Sequence, residues 1–158
     1  MTLNHPAIVA RSEEPAGAGG RWSARAVFFL NGLTLSTYLV RLPALRGEHH
    51  LTDGQLGLIG ALFAVAALAA MQLVGPIAAR VGARAVLRGA LVVMPLLLAL
   101  VGLADGPVAF ALAGTALGAV HGATDAAMNA YAVTVERIGG RPILNGCHAA
   151  WSLSLIHI

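Results

Sequence analysis

The chain has 158 residues, 58% hydrophobic and only 11% charged, against about 25% charged in an ordinary soluble domain, which excludes that class and points to a membrane protein. The formal charge of +3 rests on ten arginines with no lysine, and aromatic residues make up 5% with no basic patch interleaved among them, so a nucleic-acid partner is excluded. A single cysteine, Cys147, rules out an internal disulfide and a metal site built from cysteines, and no metal or cofactor is expected.

Residues 1–20, with RSEEPAGAGG at their centre, are polar and rich in Pro and Gly, and read as a flexible tail ahead of a transmembrane domain over residues 21–158. The first apolar stretch, AVFFLNGLTLSTYLV continuing to RLPAL, predicts a span over about 26–43. No small-residue cleavage site follows it, so it reads as an uncleaved helix and not as a signal peptide. The second, residues 54–79, carries no charge over 26 residues, enough to cross a hydrocarbon core of about 30 Å, with Thr52 and Asp53 as its caps. The third runs over about 85–104 and the fourth over about 107–133. After the polar turn VERIGGR a partial fifth opens at Pro142 and has about 17 residues, short of the roughly 20 a span needs. The runs are continuously apolar, without the alternation of a barrel, so the expected class is an all-α polytopic bundle of four full spans and part of a fifth.

Arginines fix the expected orientation. Arg11, Arg21, Arg25, Arg80, Arg84, Arg88, Arg137 and Arg141 fall on one side of the alternating spans and only Arg41 and Arg46 on the other, so the N-terminus is expected to be cytoplasmic, in the inner membrane.

Polar residues inside such spans are the candidates for function. In HGATDAAMNAYAV the spacing stacks His121, Asp125 and Asn129 on one helix face within about 80°. A carboxylate at membrane depth costs roughly 2.5 to 3.5 kcal/mol on insertion scales, so Asp125 needs a partner, water or a proton. The alternative is that Asp125 pairs with a neighbouring helix and only holds the bundle together. His121 suits a proton relay or polar packing, and Asn129 suits solute hydroxyls or inter-helix hydrogen bonding. Asn31 and Arg41 are the polar positions of the first helix, where Arg41 either ends the helix at the interface or faces a cavity. Gly114, Gly118 and Gly122 have the small-xxx-small spacing of close helix packing, and the same logic is extended to Gly57, Gly60 and Ala64. His49 and His50, with Glu48, read as an external loop. No nucleophile elbow, phosphate-cradling loop or metalloprotease helix is present, so an enzyme is not expected.

Three stretches carry a resemblance to the major facilitator superfamily of transporters. GPIAARVGARAVL is similar to the superfamily's cytoplasmic loop signature, with Gly75, Arg80, Gly82 and Arg84 in their places. Ala79 stands where an acid is usual and Ala83 where a basic residue is, so the charge network usual to this loop is incomplete here. Asp125, three residues, then Asn129 resembles the Glu, three residues, Asn of sugar-proton symporters related to fucose permease. That implies Asp125 as the proton-coupling, substrate-facing acid. Those symporters also carry an acid in the first helix, where Leu39 falls here, so sugar specificity does not follow. RPILNGCHAAWS resembles the start of the fifth helix in a bacterial branch of such transporters and implies that His148 faces the cavity.

The resemblance covers about residues 22–152. It implies the N-terminal part of a twelve-helix fold in two six-helix halves, working by alternating access on a small polar solute and protons, within a lipid bilayer and with a C-terminal half beyond this stretch. Symport and export by antiport both stay open. So does a different reading, a non-transporting assembly module or an inactive remnant. The last residues, LSLIHI, resemble translated adaptor sequence, which leaves open whether Leu153–Ile158 is native.

Overall fold

A computed structural model describes residues 18–156. It consists of five helices, α1 Ala18–Glu48, α2 Asp53–Val81, α3 Ala83–Gly102, α4 Gly106–Gly139 and α5 Leu144–Ile156, with no strand among the described residues. The chain is an all-α membrane bundle. Residues 1–17 of the expected tail lie outside the described residues, while 18–20 form the first turn of α1.

By length and composition three helices, α2, α3 and α4, are apolar enough to cross a membrane. α1 is longer than α3 but less apolar, because Asn31, Thr34, Ser36 and Thr37 interrupt it and Arg25 and Arg41 flank them. The hydroxyls are accommodated within the helix itself: Thr34 donates to the Leu30 carbonyl at 2.9 Å and Thr37 to that of Leu33 at 2.7 Å. Nor does α1 stop at Arg41. It continues through Pro43 to Glu48, and His49 N–H still reaches the Leu45 carbonyl at 3.0 Å.

The turns show why the helices break where they do. Thr52 and Gln55 form a reciprocal capping box at the start of α2, and Arg46 bridges to Asp53 at 2.8 Å across the same turn. Between α2 and α3 stands the single residue Gly82, with φ +87°, a backbone conformation that glycine adopts without steric cost. At the corner between α4 and α5, a Glu136 carboxylate oxygen accepts the N–H groups of Ile143 and Leu144 at 2.8 and 3.2 Å. It thereby satisfies donors that the start of α5 leaves without helical partners.

α4 is the hub and packs on all four other helices, most extensively on α2. The two run parallel, with Gly114 beside Ile59, Gly118 on the backbone of Phe63 and Gly122 on the backbone of Ala67. A Cβ at Gly118 would stand 2.9 Å from the Phe63 Cα, and one at Gly122 2.6 Å from the Ala67 Cα, so only glycine permits this approach. The expectation for Gly57 and Gly60 is corrected. They look into open space, because α2 turns Ile59, Phe63 and Ala67 toward α4 instead. α1 runs antiparallel to α4, with Ser23 bonded to the Tyr131 hydroxyl at 3.0 Å and Tyr38 lying against Gly114. α5 lies along α1, where Gly32 admits Trp151 and Ser154.

Gly122→Ala is therefore expected to destabilise the purified chain by about 1–3 kcal/mol through overpacking. Gly57→Ala, in open space on a helix, is expected to be neutral or stabilising by up to about 1 kcal/mol. Thermal or denaturant unfolding in detergent checks the opposite signs. Glu136→Ala is expected to speed hydrogen exchange at the Ile143 and Leu144 amides while leaving α2 amides unchanged.

Candidate functional site

The contact with α2 fixes the rotation of α4, and so the direction of its polar row. At 100° per residue, Asp125 lies about 60° and His121 about 100° from Gly122, on the side opposite Ala126 and Ala130. Those alanines line a cavity with Ala83 of α3. The row thus occupies the flank of α4 that runs from α2 toward α1, and His121, Asp125 and Asn129 are all half-buried. The His121 ring lies 5.9 Å from Phe63 of α2, and Phe63 in turn stacks on Tyr38 of α1 at 5.1 Å. Asn129 donates its amide to the Asp125 backbone carbonyl at 2.9 Å, which leaves its Oδ1 as the remaining acceptor. Among the described residues no basic side chain pairs with the Asp125 carboxylate.

Opposite this row sits Asn31. Interpolating between the Ser23–Tyr131 and Tyr38–Gly114 contacts puts it level with Gly122 and Ala123, at the height of His121 and Asp125. Its side chain is 0% exposed, and neither Nδ2 nor Oδ1 has a hydrogen-bond partner. The Tyr38 hydroxyl and His121 Nδ1 are likewise buried without partners. Each such group carries a desolvation penalty of about 1–3 kcal/mol, so a cluster of them along one seam calls for an explanation other than stability. Tyr38 and Phe63 were not singled out from sequence. Tyr38 was findable as a hydroxyl-bearing aromatic inside an apolar stretch, whereas Phe63 is indistinguishable from a lipid-facing residue until its partners are known.

Other expected site residues lie elsewhere. Arg41 lines a separate cavity of about 100 Å³ with Tyr38, Leu98 and Val101, on the α3 side of α1. Along the α1–α4 register it stands roughly 20 Å from the level of Asp125, too far to counter that charge directly. His148 is exposed and meets Phe28 edge-on at 5.2 Å, and no contact joins it to the α4 row. In the loop signature Gly82 makes the reversal, Arg84 lies over the Tyr131 ring at 5.5 Å, Arg80 is exposed and Gly75 lines the α2–α4 cavity. His49 stacks on Phe110 at 5.3 Å while His50 lines a different pocket at that end, so the two imidazoles diverge.

The seam offers neutral donors and acceptors, an aromatic face and one carboxylate. That set suits hydrogen bonding to a polar solute and the carriage of a proton.

The family model of the Major Facilitator Superfamily matches residues 26–155. The chain is similar to an uncharacterized transporter of Sinorhizobium fredii, 34% identical over 83% of this chain and 35% of that protein. It is also similar to an uncharacterized MFS-type transporter of Yersinia pestis, 34% identical over 87% of this chain and 36% of that protein. Membrane protein MosC of Rhizobium meliloti is 28% identical over 82% of this chain and 32% of its own length. The chain thus spans about a third of the length of these curated relatives. No solved structure matches it.

Asn31→Leu removes two unsatisfied polar atoms at nearly constant volume and is expected to leave stability unchanged or raise it by about 1–3 kcal/mol. Unfolding of the purified variant beside the parent chain measures this; a loss of stability would mean that Asn31 serves packing.

Proposed function

The chain belongs to the major facilitator superfamily, and we propose that it forms the N-terminal part of a proton-coupled secondary transporter for a small polar solute, sugar-like in its hydrogen bonding. The observation that carries this reading is the seam between α1 and α4, where the partnerless polar atoms of Asn31 and His121 stand level with a carboxylate that no cation among the described residues pairs, and the partnerless Tyr38 hydroxyl lies further along the same seam at Gly114. A transporter has use for such groups, because they are satisfied when solute or water enters and bare when it leaves. The similarity to two relatives named as transporters supports transport, and the resemblance of the Asp125 and Asn129 pair to sugar-proton symporters supports proton coupling.

In this mechanism the deprotonated Asp125 is costly at membrane depth and favours the state in which water reaches it. Protonation removes that cost and frees the bundle to move to the state in which the seam is closed to that side. A solute that bridges Asn31, His121 and Asn129 biases the same equilibrium only by its differential affinity for the two states. Tyr38 and Phe63 supply the wall on which an apolar face of the solute rests. The excess of arginines at one end orients the N-terminus toward the cytoplasm, in the inner membrane. Antiport export uses the same acid with solute and proton moving in opposite directions.

A second reading rests on the open small-residue face of α2 at Gly57 and Gly60, which meets no other helix and suits association with a second copy. A discrete, stable oligomer of the purified chain that forms through this face would favour an assembly module.

In vesicles carrying the full-length protein, Asp125→Asn is expected to abolish uptake driven by a proton gradient while solute exchange, which moves no net proton, persists. Uptake that keeps its pH dependence in this variant would remove Asp125 from the coupling role.

A further inference from the structure

We propose that the arginine-rich end of α2, α3 and α4 holds one anionic phospholipid, with its phosphodiester on Arg80 and Arg84 and an acyl chain in the cavity between α2 and α4. Beyond Gly122 the tight approach of α2 and α4 gives way to a cavity of about 330 Å³, lined by Val74, Gly75, Ala78, Ala126, Ala130 and Thr134 among others. Its walls are apolar. The one hydroxyl among these residues, that of Thr134, is already bonded to the Ala130 carbonyl at 2.9 Å. Water there would find few partners, whereas a methylene chain gains contact with every wall.

The charge at the mouth selects the headgroup. Ala79 and Ala83 line the cavity, and their chain neighbours Arg80 and Arg84 are held in place by the one-residue reversal at Gly82. Arg84 extends over the Tyr131 ring of α4 at 5.5 Å, next along the chain to the cavity residue Ala130. Among the described residues the one acid at this end is Glu136, and its Oε2 is engaged by two backbone N–H groups. Among the described residues no carboxylate forms an ion pair with Arg80, Arg84 or Arg88. Guanidinium groups with no carboxylate partner among the described residues, at the end of apolar helices, present the planar donor pairs that match a phosphodiester. A lipid satisfies both halves of this surface, the apolar cavity and the cations at its rim, as a peptide or a free phosphate does not. Anionic headgroups on the cytoplasmic leaflet are attracted to such clusters.

The test is native mass spectrometry of the 158-residue chain in non-ionic detergent, with phosphatidylglycerol and phosphatidylcholine of matched acyl chains. One phosphatidylglycerol is expected to stay bound in preference to phosphatidylcholine. Arg80→Gln with Arg84→Gln is expected to weaken it about 30-fold, which at 1.4 kcal/mol per tenfold is about 2 kcal/mol. Arg21→Gln with Arg25→Gln, on α1 at the same end, where Arg25 lies against Trp22 and Gly146 and no α1 residue lines the cavity, is expected to cost no more than about 3-fold. Ala130→Leu, which fills the cavity, is expected to weaken binding with both arginines intact, and millimolar glycerol 3-phosphate is expected not to displace the lipid. Equal retention of the two lipids, or equal effects of the two arginine pairs, would overturn the site in favour of a diffuse basic surface. Displacement by glycerol 3-phosphate would show a headgroup-only anion site and overturn the acyl-chain assignment. As a measurement on the unaltered chain, phosphatidylglycerol with a photoreactive acyl chain is expected to label residues 74–79 or 126–134, and labelling confined to other segments would contradict the proposal.

Discussion

The backbone contact between α2 and α4 is the constraint on which the rest of this structure depends. Gly118 and Gly122 let the helices meet at the Phe63 and Ala67 backbones, closer than any side chain would allow. In a membrane this approach has no hydrophobic driving force and rests on van der Waals contact over matched surfaces, so losing one hydrogen atom's worth of fit matters. The contact sets the rotation of α4 about its axis. That rotation carries His121, Asp125 and Asn129 to the flank facing α1 and away from α3. Phe63 joins the two roles: its backbone receives Gly118 while its ring lies between Tyr38 and His121. Packing and site are therefore one arrangement, read from opposite sides of the same residue.

Two kinds of polar group occupy these helices, and their fates differ by reach. Short hydroxyls fold back on their own helix: Thr115, Thr124 and Thr134 each donate to the carbonyl four residues earlier, as Thr34 and Thr37 do in α1. They add little to the cost of burial, because the helix that carries them also satisfies them. Asn31, Tyr38 and His121 are too long for that solution and extend into the seam between helices, where nothing among the described residues receives them. A bundle selected for stability alone would fill these positions with apolar residues of the same size. Their presence in the α1–α4 seam is the burden that the proposed transport function accounts for.

Much of this was legible in the sequence, for reasons that mark where such reading ends. Apolar runs of 20 or more residues announced α2, α3 and α4, because the bilayer imposes one length on whatever crosses it. Thr52 marks the start of α2 in the sequence, while its reciprocal partner Gln55 emerges only in the structure, and the Gly114, Gly118 and Gly122 spacing matches the face of α4 that meets α2. The same spacing argument misplaced Gly57 and Gly60. One helix alone states only that a small face exists; which face is covered depends on the partner. Charge and proline stop most helices, which makes Arg41 in the sequence a helix end or a cavity residue, yet α1 continues past both Arg41 and Pro43. The polar row is visible as a period of four. Its counterpart is not: in the sequence Asn31 is one polar residue of α1 and Tyr38 one aromatic in an apolar stretch, and nothing local to either states that they face α4. Such pairings are decided by the register between helices, which no single segment encodes.

The most direct test of this account asks whether the α1–α4 seam meets water or lipid. Asp125→Cys and Asn129→Cys, placed in a Cys147→Ser background beside Leu112→Cys on an outward face that is 67% exposed, can be probed in membranes with a charged, thiolate-selective reagent. The account predicts modification at 125 and 129 and none at 112, where hydrocarbon suppresses thiolate formation. Inert thiols at 125 and 129 alongside a reactive one at 112 would mean that the polar row is packed polar matter and that no pathway runs along it.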